Sequence, residues 1–229
     1  MSLSLYWLQC GACSGDSMSL LNAESPDLLE AFRLLDVELL WHPSLSNSLL
    51  SDRRRLMARL ISGEQPLDVL CVEGAVVRGP GGTGMFDTFD GKPKKDILAA
   101  LARRAKFVVA VGSCASFGGI VAIGEVEGTG LQFHRGEEGG FLGKDFTGGS
   151  GLPVVNLPGC PVHCDVVLGT LSMVVAGTPL PLDEFHRPVQ WYGMTVHQGC
   201  TRNEYHEYRI EEKAFGEKGC LFFPRGCPG

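Results

Sequence analysis

The chain has 229 residues, a formal net charge of −6 and 44% hydrophobic residues. This apolar content is ample for a packed core, in one large domain or in a domain with a small appendage. Acidic and basic residues are mixed along the sequence, which argues against a surface that binds nucleic acid or an anionic membrane. The longest apolar runs are far shorter than a bilayer is thick, so we expect no membrane span.

Five short apolar runs, rich in β-branched or aromatic residues and bounded by glycine or proline, predict buried strands. In chain order they span residues 4–9, 37–41, 67–72, 107–112 and 153–157. Between them, apolar residues at helical spacing predict helices that start near Asp27, run over 94–106, and run from about 165 to 177. This alternation is typical of βαβ units and predicts an α/β fold with a flavodoxin-like parallel sheet.

The composition changes after residue 180 to charged and aromatic residues with weak periodicity. We therefore predict two domains: a flavodoxin-like domain over 1–180 and a small, largely irregular domain over 181–229. A glycine-rich connection over 124–151 lies in the first domain, and its length leads us to expect contact with a partner. Another glycine-rich stretch, 79–84, lacks the following Lys-Ser/Thr pair of a phosphate loop, so we do not interpret it as a nucleotide site.

Four cysteines follow separate predicted strands. Cys10 and Cys13 follow the first strand, Cys114 follows the fourth, and Cys160 follows the fifth. The carboxyl ends of parallel strands meet at one edge of the sheet, where open α/β folds bind their ligands. We therefore expect the four thiols to converge, and four thiolates around one point predict a metal centre.

A second group of possible ligands lies near the C-terminus. It consists of one histidine and three cysteines: His197, Cys200, Cys220 and Cys227. Soft sulfur ligands select zinc, copper(I) or an iron–sulfur cluster, and Cys₃His is also an ordinary structural zinc set. Nine cysteines and the lack of a signal-peptide pattern argue against a disulfide framework. The first group differs from most zinc sites because Cys114 and Cys160 are single cysteines on separate strand ends.

Six motifs together resemble the small subunit of nickel–iron hydrogenases. They are LQCGAC at 8–13, CVEG at 71–74, VGSCASFGG at 111–119, LPGCP at 157–161, HQGCTRNE at 197–204 and CLFFPRGC at 220–227. The resemblance runs from about residue 4 to the end of the sequence. The order and spacing of so many motifs argue against chance.

The resemblance implies two [4Fe–4S] clusters. The proximal cluster, which faces the large subunit, would be held by Cys10, Cys13, Cys114 and Cys160. The distal cluster would be held by His197, Cys200, Cys220 and Cys227. In this family the nickel–iron centre that splits hydrogen lies in the large subunit, and the small subunit transfers the electrons away. The expected function is therefore electron transfer in a hydrogenase heterodimer, with the large subunit as obligate partner and no catalytic residue in this chain.

Some positions depart from the family's pattern. Asp16 lies near the position where many relatives have a glutamate, and Ala12 and Gly119 stand where some oxygen-tolerant relatives have two further cysteines. We therefore expect an ordinary proximal [4Fe–4S] cluster. The ligands of a third, medial cluster would follow Gly229, so we expect either a truncated form or an omitted tail. No twin-arginine signal precedes Cys10, which favours the cytoplasmic members of the family, either hydrogen sensors or uptake enzymes.

Three further side chains lie beside the proposed ligands or on the predicted strands. Glu73 is interpreted either as a polar group at the cluster or subunit interface or as a solvated strand end. Cys71 and Cys164 are interpreted as buried thiols rather than ligands, because free cysteine behaves as a small hydrophobe. The physiological electron acceptor, or the regulatory kinase that a sensor would need, is left open.

Three other classes of protein compete with this interpretation. A quinone-reductase subunit of the complex I type shares the fold and the proximal cluster, but it has two adjacent cysteines in the first motif and lacks the His197 group. A structural zinc protein would be colourless and redox-silent. A flavodoxin-like flavin carrier needs a phosphate-binding first loop, and here that loop contains Cys10 and Cys13. An absorption spectrum with iron and sulfide analysis would separate these classes.

Overall fold

The computed structural model describes residues 2–227, and the chain divides into two compact units, Met1–Pro188 and Val189–Gly229. The described strands are β1 (Leu3–Gln9), β2 (Val37–Trp41), β3 (Leu67–Glu73), β4 (Val76–Val77), β5 (Thr88–Phe89), β6 (Lys92–Pro93), β7 (Ala105–Val111), β8 (Gly128–Thr129), β9 (Phe133–His134), β10 (Glu137–Glu138) and β11 (Val155–Leu157). The described helices are α1 (Gly15–Leu21), α2 (Leu28–Leu34), α3 (Leu50–Ser62), α4 (Lys94–Ala102), α5 (Gly112–Phe117), α6 (Cys164–Ala176), α7 (Val189–Tyr192), α8 (Asn203–Glu207) and α9 (Phe222–Arg225). None of these helices is long and apolar enough to cross a membrane.

The first unit is built on one five-stranded sheet in the order β11-β7-β3-β1-β2. All neighbouring strands in this sheet run parallel. The remaining described strands form two-stranded antiparallel pairs: β4 with β8, β5 with β6, and β9 with β10. The predicted α/β fold with a parallel sheet is therefore confirmed.

The central strands are buried on both faces. Tyr6 and Leu8 of β1 belong to a hydrophobic core that includes Leu60 of α3 and Leu101 of α4. Trp7, which points to the opposite face of the sheet, is also 0% exposed. Each such side chain contributes about 1.5–3 kcal/mol when it is fully buried. Parallel sheets need cover on both faces, so the continuous apolar runs of the sequence suit these strands.

Several predicted boundaries and three helices of the first unit differ from the structure. The predicted helix over 94–106 ends at Ala102, because Ala105 already pairs with Leu67 in the sheet. The strand predicted over 107–112 accordingly begins at Ala105 and ends at Val111. Helices α1, α3 and α5 were not predicted, and their N-cap residues provide no side-chain hydrogen bond that would mark a helix start.

The boundary between the two units lies later than the predicted one after residue 180. Residues 181–188 belong to the first unit because they bond to its last sheet strand. The main-chain N–H of Asn156 donates to the carbonyl of His186, and its side-chain amide donates to the carbonyl of Phe185, both at 2.8 Å. The ring of Phe185 also packs against those of Phe117 and Phe133.

Candidate metal centres

The register of the parallel sheet brings the ends of its strands to one edge. Gln9 pairs with Glu73, Glu73 pairs with Val111, and Val111 pairs with Leu157. Each of these residues is the last of its strand. Cys10 follows directly, and its N–H donates to the carbonyl of Glu73 at 2.8 Å. The loops that carry the first group of cysteines therefore leave the sheet side by side, as the sequence predicts.

Three of the four predicted proximal ligands line a recess at this edge, which we call the sheet-edge recess. Its lining includes Cys13, Asp16, Gly74, Cys114, Gly159 and Cys160. Cys10 is not one of the lining residues, because its side chain is 5% exposed and belongs to the hydrophobic core. Burial and the nearby Asp87 raise the pKa of Cys10 to about 12, while Lys94 acts in the opposite direction. The structure thus places three thiols in one recess and the fourth in the core.

The acidic groups of the sheet-edge recess act on one another. Burial raises the pKa of the Cys114 thiol, and the neighbouring Cys160, Asp16 and Cys13 raise it further as like charges. The pKa of Asp16 is also raised, chiefly by burial. Acidic groups gathered in this way are stabilised as anions by a positive centre. The iron atoms of a cluster provide such a centre, so the chemistry of this donor set fits one.

Glycine residues leave space beside the sulfurs. A Cβ atom on Gly119 would lie 2.4 Å from the Sγ of Cys114, and the φ of Gly119 is +59°. A Cβ atom on Gly112, where φ is +86°, would lie 2.0 Å from the Oδ2 of Asp16. Both positions therefore require glycine for conformation and for space. The main chain therefore lies close to the thiol and the carboxylate, and the absence of side chains at these glycines leaves room in the recess for a bulky inorganic group.

Glu73 is buried at the same edge, with 1% of its surface exposed. Its carboxylate accepts hydrogen bonds from the Nε1 of Trp7 at 3.1 Å, from the N–H of Ser17 at 3.1 Å and from the Oγ of Ser17 at 2.5 Å. The interpretation of Glu73 as a solvated strand end is therefore wrong. Because the next residue, Gly74, lines the sheet-edge recess, this carboxylate anchors β1, α1 and the recess to one another.

His42 extends this buried network. The N–H of Ser44 donates to the Nδ1 of His42 at 3.1 Å, which leaves the proton on Nε2, 3.4 Å from the Oγ of Ser17. Burial lowers the pKa of His42 to about 4, although the charge of Glu73 opposes this shift. The ring is therefore neutral at pH 7. Sequence reasoning missed Ser17 and His42, because Ser17 contacts the distant residues Glu73 and His42 and no local pattern marks these contacts.

The C-terminal unit brings its four predicted ligands to one recess. This C-terminal recess is lined by His197, Cys200, His206, Cys220 and Cys227, among others. The N–H of Cys220 donates to the carbonyl of Ile210 at 2.7 Å, which fixes the main chain at that cysteine. Arg202 forms an ion pair with the buried carboxylate of Glu212 and donates to the carbonyl of Gly219 at 3.0 Å. These bonds hold the segments that carry Cys200 and Cys220.

Main-chain N–H groups point at two of these sulfurs. Arg202 donates to the Sγ of Cys200 and Phe222 donates to the Sγ of Cys220, both at 3.4 Å. Such donors stabilise thiolate ligands and tune the potentials of iron–sulfur clusters. Sequence reasoning missed His206 in this recess. A count of every histidine near the cysteines would have included it, since it lies six residues after Cys200.

The two cysteines interpreted as buried thiols lie in packed positions. Cys71 in β3 is 0% exposed, and burial raises its pKa. Cys164 is the first residue of α6, is 8% exposed, and has its pKa raised by burial and by Asp165. Donor atoms of His163, Cys164 and Asp165 lie within 4.8 Å of one another. Their proximity follows from the helix start, where the Nδ1 of His163 accepts the N–H of Asp165 at 3.3 Å.

Comparison with known families gives one match to each unit. Residues 13–174 match the family described as NADH ubiquinone oxidoreductase, 20 Kd subunit. Residues 192–229 match the family described as the C-terminal part of the NiFe/NiFeSe hydrogenase small subunit. The sheet unit alone resembles both quinone-reductase subunits and hydrogenase small subunits. The match of the second unit is specific to the hydrogenases.

Individual relatives agree with the second match. The F420 non-reducing hydrogenase II small subunit of Methanosarcina mazei is 32% identical over 95% of this chain and 62% of its own length. The periplasmic [NiFeSe] hydrogenase small subunit of Desulfomicrobium baculatum is 32% identical over 97% of this chain and 72% of its own length. The actinobacterial-type NiFe-hydrogenase from Ralstonia eutropha H16 has a similar structure, with a TM-score of 0.80 and 29% identity over 96% of this chain and 68% of that chain.

The parallel sheet, the thiols at its edge and the Cys₃His group of the second unit define a flavodoxin-like α/β protein with two candidate metal centres. The chain belongs to the family of nickel–iron hydrogenase small subunits. The predicted resemblance is therefore confirmed. The chain spans 62% of the length of the Methanosarcina relative.

Proposed function

We propose that this chain is the electron-transfer subunit of a nickel–iron hydrogenase and binds two [4Fe–4S] clusters. The observation that carries the proposal is the convergence of thiols from three separate loops in the sheet-edge recess. One cluster would be held by Cys10, Cys13, Cys114 and Cys160, and the other by His197, Cys200, Cys220 and Cys227. When bound, each cluster supplies one-electron transfer, and the nickel–iron centre belongs to the large subunit.

The chain's own part is to hold the ligands rigidly. Cys114 lies in α5, directly after β7, and its sulfur accepts an N–H from Ile120. Ligands fixed on strand ends move little when the charge of a centre changes, which suits electron transfer. Cys10 has its main chain fixed by the bond to Glu73. We propose that its thiol turns from the core towards the sheet-edge recess to complete the ligand set.

The proposed large subunit would cover the sheet-edge recess. Helix α1, whose first residue Gly15 lines the recess, exposes Met18 and Leu21. Ile120, whose N–H donates to Cys114, is 89% exposed. Exposed apolar side chains around a functional recess mark a protein interface, and an obligate interface is more apolar than a transient one. We therefore expect the chain to be stable only in the heterodimer.

The proposal is tested by reduction with hydrogen. The chain is purified anaerobically with its large subunit, and the visible absorption of the clusters is followed after hydrogen is added. We expect hydrogen to bleach the absorption of both clusters. In a Cys114→Ser variant, the part of the bleaching that comes from the proximal cluster should be missing. If the absorption of the clusters stays unchanged in a complex that still exchanges hydrogen isotopes, this chain does not receive the electrons.

The C-terminal recess has one competing occupant. A Cys₃His set with main-chain donors to sulfur also suits a structural zinc ion, and Cys200, Cys220 and His197 fit either metal. The relatives are named as hydrogenase small subunits, which supports the cluster. A hydrogen-sensing or uptake role and a cytoplasmic location stay predictions.

A further inference from the structure

His206 lies in the C-terminal recess and contacts one of the proposed ligands. Its Nδ1 is 3.5 Å from the Sγ of Cys220, within the range of a hydrogen bond to sulfur. The same sulfur accepts the main-chain N–H of Phe222 at 3.4 Å. A thiolate can only accept hydrogen bonds, so in the metal-bound protein the Nδ1 of His206 must carry the proton in this contact.

Aromatic packing fixes the ring of His206. The ring of His197 lies edge-on to it at 5.0 Å between centroids, and that of Phe222 lies edge-on at 5.4 Å. Phe223 lies parallel to it, with centroids 6.2 Å apart and 3° between the planes. Neighbours on several sides restrict rotation of the ring, which keeps its Nδ1 directed at Cys220.

We propose that His206 is a positioning residue that donates a hydrogen bond from Nδ1 to the Cys220 thiolate and thereby raises the reduction potential of the C-terminal cluster. The inference rests on the proposed function, because it requires a cluster in this recess. A donor withdraws negative charge from the sulfur and so favours the reduced state, which carries one more electron. Loss of the donor therefore shifts the potential to a lower value.

The geometry favours this role over direct ligation by His206. Ligands on different corners of one cluster bind different iron atoms, so their donor atoms lie further apart than the two atoms of a hydrogen bond. The 3.5 Å between His206 and Cys220 is too short for that arrangement. This distance favours a role of His206 through Cys220 and leaves His197 as the proposed imidazole ligand.

The experiment uses the anaerobic complex with the large subunit and compares four variants, one of which, His197→Ala, removes the proposed imidazole ligand. His206→Leu removes the donor, whereas His206→Asn keeps an N–H group on the atom that corresponds to Nδ1. Tyr208→Phe, at an exposed position two residues away, is the matched control. Iron content is measured first, and the potentials of both clusters are then determined by redox titration followed by electron paramagnetic resonance.

We expect His206→Leu to lower the potential of the C-terminal cluster alone, with His206→Asn and Tyr208→Phe close to wild type. If His206→Leu loses the iron of the C-terminal recess and His206→Asn keeps it, this result would also support hydrogen-bond donation by residue 206. An unchanged potential in His206→Leu would overturn the inference and leave the proposed function intact. Loss of that iron in both His206 variants, with retention in His197→Ala, would make His206 the ligand. A wild-type complex with zinc in this recess would instead overturn the proposed C-terminal cluster itself.

Discussion

The indole Nε1 of Trp7 donates a hydrogen bond to the carboxylate of Glu73 at 3.1 Å, and both side chains are buried. The bond joins β1 to its neighbour β3 near the edge where the cysteine loops leave the sheet. A buried carboxylate costs free energy unless donors surround it. Trp7 and Ser17 supply those donors, so the carboxylate of Glu73 is fully surrounded by hydrogen-bond partners at this edge of the sheet.

Substitution of that carboxylate should destabilise the sheet edge. Glu73→Gln places an NH₂ group among donors and removes charge-assisted bonds, so we expect the free energy of unfolding to fall by about 1.5–3 kcal/mol. Glu64→Gln, at an exposed surface position, is the control. Thermal unfolding of the complex measures both variants. Equal midpoints for the two would show that the Trp7 and Ser17 bonds contribute nothing net.

The neutral His42 predicts how stability depends on pH. Its pKa is lowered to about 4 in the folded chain, so below the ordinary value of about 6.5 only the unfolded state binds the proton. The stability present above pH 6.5 is therefore lost as the pH falls towards 4, by up to about 1.4 kcal/mol per pH unit. His42→Gln should flatten this dependence between pH 7 and 5.5, measured by thermal unfolding. A parallel decline in both proteins would assign it to other groups.

In this chain a side chain at Gly119 should displace the sulfur of Cys114. Gly119→Ala puts a methyl group against the Cys114 sulfur and forces alanine into a left-handed conformation, which costs about 1–2 kcal/mol before the clash is counted. We expect this variant to lose the proximal cluster. Gly136→Ala is the control, because a Cβ atom there meets nothing within 4 Å. The measurement is the iron content of the two purified complexes. Full iron content in both would show that the sheet-edge recess has room for a methyl group beside Cys114.

The fourth proximal ligand is open to a direct comparison. The resemblance assigns Cys10, whereas the structure places Asp16 on the lining of the sheet-edge recess. We expect Cys10→Ser to remove about four irons and Asp16→Asn to retain them. Cys71→Ala, at a buried cysteine outside the ligand set, should also retain them. The opposite result, with loss only in Asp16→Asn, would make the carboxylate the fourth ligand.

The strands and the positions of Cys13, Cys114 and Cys160 were predictable from local sequence. A buried parallel strand is an apolar run, and the loop that follows it leaves at the common edge. The side chain of Cys10, directly after β1, lies in the core instead. The end of α4 was misplaced because Ala105 is compatible with helix as well as strand, and only its pairing with Leu67 decides. Helix α5 begins at Gly112 in a left-handed conformation, which no helix-start rule anticipates.

The parts of the candidate sites that could not be predicted depend on contacts between distant residues. Ser17 and Glu73 are 56 positions apart, and His206 and Cys220 are 14 apart. Whether Glu73 is solvated or buried depends on whether α1 covers it, and the sequence around Glu73 does not encode that. Motif order predicts the ligands, whereas the groups around them can be identified only from the fold.

The metal content of the heterodimer distinguishes an iron–sulfur subunit from a structural zinc protein. The chain is purified anaerobically with its large subunit, and iron, zinc and acid-labile sulfide are quantified alongside a Mössbauer spectrum. Two four-iron clusters predict about eight sulfides and eight irons in [4Fe–4S] form, and the nickel–iron centre of the large subunit adds about one further iron. A preparation that contains zinc and no labile sulfide would show that neither recess binds an iron–sulfur cluster.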